Sequence, residues 1–101
     1  MNLPAEFFRG GGFRENLEDF RGLVGLYRLF RFDDVKEEWE AAGWEVLVFR
    51  YVLPTDRQVL AGCAQGQRVL RFPSANDFGR FGWFFMGGGN AVAKYGEIIR
   101  K

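Results

Sequence analysis

The chain has 101 residues, of which 48% are apolar and 18% aromatic, and its 14 Lys and Arg nearly balance 13 Asp and Glu. This length suits one domain, and this hydrophobicity excludes a disordered chain. The near-neutral charge argues against a dedicated duplex-DNA binder, which draws most of its affinity from phosphate contacts.

Cysteine use and hydropathy bear on the compartment. The single cysteine, Cys63, cannot form an intrachain disulfide, as is typical of proteins from reducing compartments. The opening residues include Glu6 and lack the apolar core of a signal peptide. No apolar run approaches the roughly 18 residues of a membrane span. We therefore expect a cytoplasmic protein without membrane contacts, located in the host cytoplasm if a phage encodes it.

In chain order, the N-terminal third is predicted to form a helical turn, a helix and a strand. A proline in the first helical position favours a turn at residues 4–8, which the three glycines at 10–12 end. Apolar residues at helical spacing then predict a helix over residues 13–21, with Gly22 as its C-cap. The aromatic-rich segment from 26 to 32 is typical of a strand.

A second helix is predicted before the main sheet. Asp34 and Glu37 have the spacing of a capping box, and Gly43 is a suitable end for the helix. On its apolar face, we expect Trp39 to anchor the core beside Val35.

Three strands joined by short polar turns follow. They are predicted at residues 44–53, 58–64 and 67–72, with turns at 54–56 and 65–66. Connections this short favour an antiparallel meander.

The C-terminal third allows two interpretations. Ser74 followed by Asp77 is typical of a helix start, but glycines are costly inside a helix, so a strand over residues 81–86 is the alternative. A glycine hinge at 87–89 precedes a last helix, which Asn90 is expected to cap.

These elements predict a single α+β domain that spans residues 1–101. Its sheet is antiparallel or mixed, with four to five strands, and helices pack on it. A chain of this length buries only about two thirds of its unfolded surface, so its apolar residues must be well placed.

A motif of two apolar residues, Arg and an aromatic residue recurs in three predicted strands. Because side chains alternate across a strand, the Arg and the first apolar residue of each copy should share one face. The predicted binding residues are therefore Arg31, Arg50, Arg71, Leu29, Val48 and Val69.

Three covers fit such a face. The protein's own helices can lie on it while the Arg stems extend outward. Alternatively, a second copy or another protein can bind it, since Arg and aromatic residues are enriched at interfaces. Nucleic acid lying across the three Arg is the third alternative.

Groups for catalysis or metal binding are scarce. The chain has no histidine, which removes the commonest general base and metal ligand. Cys63 lies among small apolar residues and is predicted to be buried and unreactive. The acidic residues from 33 to 40 suit the first turn of a helix, and the glycines at 87–89 complete no nucleotide-binding motif. We predict no enzyme activity, cofactor or metal site.

The favoured function is a small non-catalytic protein-binding domain that occupies the surface of a partner, like inhibitor and adaptor proteins of phages and mobile elements. The partner is another protein or a second copy in a homodimer. One alternative is a nucleic-acid-binding module with an Arg and aromatic sheet face. Another is a small toxin-type RNase that would act through Tyr27, Arg28, Arg31 and Arg50.

Overall fold

The computed structural model describes residues 3–53 and 68–100, together with Gly62 and Gly66. Its strands are β1 (Glu6–Arg9), β2 (Phe13–Arg21), β3 (Val24–Asp33), β4 (Glu38–Val48), β5 (Arg50–Val52), β6 (Val69–Arg71) and β7 (Gly82–Phe85). A 3-10 helix (Ala75–Asp77) precedes β7, and the helix α1 (Gly88–Ile99) follows it. No helix within these ranges is long and apolar enough to cross a membrane.

Five strands form one antiparallel sheet in the order β1-β2-β3-β4-β7, and β5 pairs with β6 in a separate two-stranded sheet. Helix α1 packs on one face of the larger sheet, against β3, β4 and β7. The architecture is therefore roughly α+β, as predicted. The several packed helices of the prediction are wrong, because the described ranges contain one α-helix.

The helix predicted over residues 13–21 is wrong, because this segment is strand β2, paired with β1 on one side and β3 on the other. A β-bulge between Leu17 and Asp19 explains the misleading spacing. The bulge adds one residue to the strand, so Leu17 and Phe20 share a face although they are three positions apart. Three-residue spacing on one face imitates the period of a helix.

Two glycine turns connect the first three strands. Gly11 and Gly12 adopt φ angles of 84° and 81° between β1 and β2, and Gly22 adopts a φ of 57° between β2 and β3. Residues with a Cβ rarely enter this region of backbone space. The helical turn predicted at residues 4–8 is also wrong, because the glycine turn after it closes a β-hairpin that contains β1.

The helix predicted over residues 34–43 is replaced by a turn and the first half of β4. The Asp33 carboxylate oxygen Oδ1 accepts hydrogen bonds from the backbone N–H groups of Val35 (2.9 Å) and Lys36 (3.1 Å). A short acidic side chain that bonds its own backbone favours a turn over a helix. Val35 is 94% exposed, and Trp39 lies half-buried in β4, so the predicted helical core face does not form.

The C-terminal third matches the sequence-based prediction in part. Residues 81–86 contain strand β7, which confirms the strand alternative, and α1 confirms the last helix. The predicted glycine hinge and Asn90 cap are wrong, because the helix begins at Gly88 with Gly87 as its N-cap and Asn90 lies inside it. Ser74 begins only a 3-10 turn, in which its backbone N–H and its hydroxyl donate to the Asp77 Oδ2 at 2.9 and 3.1 Å.

The strands predicted at 26–32, 44–53 and 67–72 are confirmed with shifted bounds, as β3, as β4 with β5, and as β6. Apart from Gly62, the strand predicted at 58–64 lies outside the described residues, and so does Cys63 with its predicted burial.

Apolar side chains pack on both faces of the larger sheet. On the helix side, the buried cluster comprises Leu26, Val46, Ala91 and Tyr95. On the opposite side, it comprises Leu3, Tyr27, Leu47 and Phe49. The N-terminal segment and side chains near the smaller sheet cover this second cluster, whereas α1 covers the first.

The turn before β4 contains a strained backbone. Glu37 has a φ of 55°, and it is the only non-glycine residue of the described ranges with a positive φ. A residue with a Cβ loses about 1–2 kcal/mol in this region, whereas glycine enters it freely. We expect Glu37→Gly to raise the free energy of unfolding by about 0.5–1 kcal/mol, measured by urea denaturation, after the entropic cost of glycine is subtracted.

The matched control is Asp34→Gly in the same turn, because Asp34 is exposed and its φ is not positive. Glycine at this position adds only freedom to the unfolded chain, so stability should fall by about 0.5 kcal/mol. Equal effects of the two substitutions would contradict the assignment of strain to Glu37.

Candidate functional site

Helix α1 covers only part of one face of the larger sheet, and this face extends past the first turn of the helix. A Cβ on Gly88 would lie 3.0 Å from the Trp44 indole, so the helix backbone rests directly on that ring. Farther along the same face lie two Arg and four aromatic side chains, which we call the Arg–aromatic face: Phe8, Arg14, Arg28, Phe30, Phe32 and Trp39. Phe8 is 66% exposed, and the other five residues are half-buried.

The register of four strands brings this face together. Phe8 of β1 lies opposite Arg14 of β2, which in turn lies opposite Phe30 of β3. Phe32 of β3 lies opposite Trp39 of β4. Since side chains alternate along each strand, the six residues point to the same side of the sheet.

Both guanidinium groups lie over aromatic rings. The Arg14 Cζ is 4.9 Å from the ring centroid of Phe30 and 4.7 Å from that of Trp39. The Arg28 Cζ is 5.7 Å from the Phe30 centroid and 5.0 Å from the Trp44 centroid. Attraction between a cation and the ring quadrupole holds each planar guanidinium in place.

Trp39 connects the aromatic side chains of this face. Its ring centroid lies 5.2 Å from that of Phe32, with the planes at 70°, and 6.0 Å from that of Phe8. The helical spacing in the sequence predicted Trp39 in the core. Instead, Trp39 occupies the middle of a surface that it shares with Arg14.

Neither guanidinium of the face forms an ion pair within residues 3–53 and 68–100. The Nε atoms of Arg14 and Arg28 are buried and have no hydrogen-bond partner in the same ranges. Glu6, opposite Asn16 on the edge strand, lies on the same side of the sheet as Arg14. The face therefore offers two guanidinium groups that form no ion pair in the described ranges, beside tilted and edge-to-face rings.

The predicted binding residues do not share one face. Leu29 is buried opposite Glu15, on the side of the sheet away from α1, and Arg31 lies on that side too. Val48 lies opposite Val24 on the helix side. In β3, the first apolar residue and the Arg of the motif point away from α1, whereas in β4 the first apolar residue, Val48, points toward α1. The two copies of the motif therefore do not share a face.

The other predicted residues lie in the two-stranded sheet. Arg50 and Arg71 are direct neighbours across β5 and β6, and Val69 lies opposite Val52. The structure therefore brings together two of the three Arg, but in a sheet separate from Arg31.

A carboxylate lies between these two Arg. The Nη2 atoms of Arg50 and Arg71 lie 3.3 and 3.9 Å from the Asp77 Oδ2. The backbone N–H of Ser74 lowers the pKa of Asp77 most, and the Ser74 hydroxyl and the two guanidinium groups lower it further. These contacts connect the two-stranded sheet to the 3-10 turn, so Arg50 and Arg71 already have a structural partner.

Sequence reasoning missed a buried acidic cluster on the side of the sheet away from α1. Glu15 is fully buried and Glu45 is 3% exposed. The Arg9 Nε lies 2.7 Å from the Glu15 Oε2, and its Nη1 lies 3.6 Å from the Glu45 Oε1. Burial, followed by the hydrogen bond and charge of Glu45, raises the pKa of Glu15 to about 9 against the opposing charge of Arg9. The pair therefore holds one proton at neutral pH.

Tyr27 adjoins this cluster. It is fully buried opposite Glu45, and its hydroxyl donates a hydrogen bond to the Pro4 carbonyl oxygen at 2.9 Å. Burial, and then the charge of Glu15, raise its pKa. This buried hydrogen bond holds the N-terminal segment against the sheet.

The acidic cluster has the features of a structural element. Glu15 exposes no surface, so a substrate in solution has no route to its carboxyl group in the structure. The apolar residues around Glu45 are a sequence signal that its carboxylate is buried. Glu15 has no such signal as long as residues 13–21 are assigned to a helix. In the described part of the chain, no group of three or more His, Cys, Asp or Glu is placed to hold a metal ion.

Comparisons with protein-family models, curated proteins and solved structures found no match to the chain. Functional interpretation therefore rests on the Arg–aromatic face and on the groups around it.

The proton held by the buried pair makes stability depend on pH. Glu15 binds its proton more tightly in the folded chain, at a pKa of about 9, than at its ordinary value of 4.5 in the unfolded chain. The free energy of unfolding should therefore fall as the pH rises through this window. Urea denaturation between about pH 6 and about pH 9 measures the slope.

Glu15→Gln removes this titration while it keeps the side-chain shape, so we expect a flatter pH profile. Glu18→Gln is the matched control, because Glu18 is an exposed residue of the same strand. If the Glu15→Gln variant retains the full slope, the buried pair is not its source.

Proposed function

We propose that the chain is a non-catalytic binding protein that holds single-stranded nucleic acid on the Arg–aromatic face. One observation carries the proposal: Arg14 and Arg28 lie over aromatic rings, with no carboxylate within ion-pair distance in the described ranges. Such guanidinium groups suit phosphate oxygens, which accept paired hydrogen bonds from their planar donors.

The aromatic side chains favour a single strand over a duplex. Unpaired bases expose flat surfaces that stack on aromatic rings and on guanidinium planes, with about 1–3 kcal/mol per base. Phe8 offers an exposed ring, and Arg14 offers a guanidinium plane supported from below by Trp39. In a duplex, the base faces are already stacked on one another.

The nearly neutral net charge is compatible with this ligand. Two Arg contact few phosphates, so the affinity should be moderate and only weakly dependent on salt. Single strands release about 0.7 counterion per phosphate contact, which gives a slope of about −1.4 in log K against log salt for two contacts. A protein that binds through a large basic patch has a much steeper slope.

The toxin-type RNase is not favoured. Tyr27 is fully buried with its hydroxyl bonded to Pro4, and Arg50 lies beside Asp77. These two side chains therefore do not converge with Arg28 on an exposed site, since Tyr27 and Arg28 point to opposite sides of β3.

The nucleic-acid proposal predicts that a fluorescein-labelled oligothymidylate binds with the shallow salt slope given above. Arg14→Gln and Arg28→Gln should each weaken binding and reduce the slope by about 0.7, because each removes one phosphate contact. Fluorescence anisotropy over a salt series measures both quantities.

The matched control is Arg68→Gln, because Arg68 is exposed and lies next to the two-stranded sheet. It should bind like the parent chain. The proposal fails if the oligonucleotide does not bind, or if the three Gln variants lose affinity equally.

A second candidate is the protein-binding domain expected from the sequence, of the inhibitor or adaptor type. The observation in its favour is a set of large apolar side chains that the described ranges expose: Phe8, Phe20, Val35, Tyr51, Leu53, Phe72, Phe84, Met86 and Val92. Affinity between apolar protein surfaces does not fall with salt, whereas oligonucleotide affinity should fall with the shallow slope given above. A homodimer would also double the mass found by light scattering.

A further inference from the structure

Two rows of side chains cross the Arg–aromatic face where it includes the edge strand β1. The stacking row, whose members lie opposite one another across β1, β2 and β3, comprises Phe8, Arg14 and Phe30. The polar row lies two residues along each of these strands and comprises Glu6, Asn16 and Arg28. Residues two positions apart in a strand share a side of the sheet, so both rows project toward the same ligand.

Glu6 is the acidic member of the polar row. It is exposed on β1, and it forms no ion pair within residues 3–53 and 68–100. On a face that holds phosphate groups, such a carboxylate weakens binding by charge repulsion unless it accepts hydrogen bonds from the ligand. Its position therefore indicates contact with the part of a nucleotide that carries hydrogen-bond donors, which is the base.

The distance between the two rows suits a base that stacks on Phe8. The Phe8 ring is 66% exposed, and Trp39 supports it with the two ring centroids 6.0 Å apart. Residues two positions apart in a strand are separated by about 6.6–6.8 Å. A base stacked on Phe8 extends its hydrogen-bonding edge across about half of this separation. The Glu6 side chain spans the remainder, so its carboxylate can meet that edge.

The chemistry of a carboxylate distinguishes the bases. Both of its oxygens accept hydrogen bonds and neither donates, so its full complement is a pair of adjacent donors. Guanine presents such a pair on its Watson–Crick edge, the N1–H and the N2 amino group. Adenine and cytosine present one amino group beside an acceptor nitrogen, and thymine and uracil present one N–H between two carbonyl oxygens. With these four bases, an oxygen of the carboxylate faces another acceptor, which is unfavourable.

We propose that Glu6 makes the Arg–aromatic face selective for guanine in single-stranded nucleic acid. Phe8 stacks the base, Glu6 accepts hydrogen bonds from its N1–H and N2 amino group, and Arg14 holds the adjacent phosphate. The inference rests on the nucleic-acid binding proposed above, and it adds the base that the face prefers.

The test measures fluorescence anisotropy with the fluorescein-labelled DNA octamer TTGTTGTT and with three octamers in which A, C or T replaces both G. The parent chain should bind the guanine octamer about tenfold more tightly than the others, as expected for one bidentate base contact. Glu6→Gln should abolish this preference, because a carboxamide has one acceptor and turns a donor toward the guanine donors. RNA octamers should show the same preference, because the carboxylate contacts the base.

Glu38→Gln is the matched control, because Glu38 is exposed on the opposite side of the sheet, and it should keep the tenfold preference. Circular dichroism checks that both variants fold. If the octamers bind but guanine brings no advantage, or if Glu6→Gln keeps the advantage, guanine selection by Glu6 is wrong while the proposed function stands. An equal gain in affinity for all four octamers in Glu6→Gln would show that Glu6 only repels the ligand. If no octamer binds, both proposals are wrong.

Discussion

The pairing of β3 with β2 on one side and with β4 on the other determines what every other part of the chain can contact. Alternation along this central strand points Leu26, Arg28 and Phe30 to one side, and Tyr27 and Leu29 to the other. In the first set, Leu26 packs against α1, and Arg28 and Phe30 belong to the Arg–aromatic face. The second set meets the buried acidic cluster and the N-terminal segment. A register slip of one residue would exchange the two sets and bury guanidinium groups without partners.

The two charged groups of the sheet lie back to back. Glu15 follows Arg14 along β2, so the buried acidic cluster lies beneath the Arg–aromatic face on the opposite side of the backbone. With one proton on the carboxylate pair, the remaining negative charge is balanced by Arg9. The cluster is then formally neutral, and it does not cancel the positive potential of Arg14 and Arg28 across the sheet. Loss of the shared proton would add a negative charge beneath the binding face, at short range and little screened by salt.

The sequence predicted the sheet, the strand β3, the strand alternative for β7 and the last helix, because each has either clear alternation or a clear boundary. It failed at β2, where an inserted residue gives apolar side chains a helical spacing, and at the start of β4, where the acidic turn before the strand resembles the start of a helix. The same errors hid the candidate site, since Arg14 and Trp39 were both assigned to helices. Once those segments are strands, alternation together with the strand register places both residues on the face that holds Phe30. Ion pairs such as Arg50 with Asp77 depend on tertiary contacts that no local pattern contains.

The Arg–aromatic face follows from the difference in length between helix and strand. The twelve residues of α1 extend about 18 Å, whereas the ten residues of β3 extend about 34 Å. One short helix therefore covers roughly half of the strand, and the rings beyond Trp44 need another cover. Arg14 and Arg28 supply it, because each guanidinium shields ring surface from water while its edges remain able to donate hydrogen bonds. The contacts that stabilise the uncovered half of the sheet are thus the same contacts that orient its charges toward a ligand, so stability and binding at this face depend on the same two side chains.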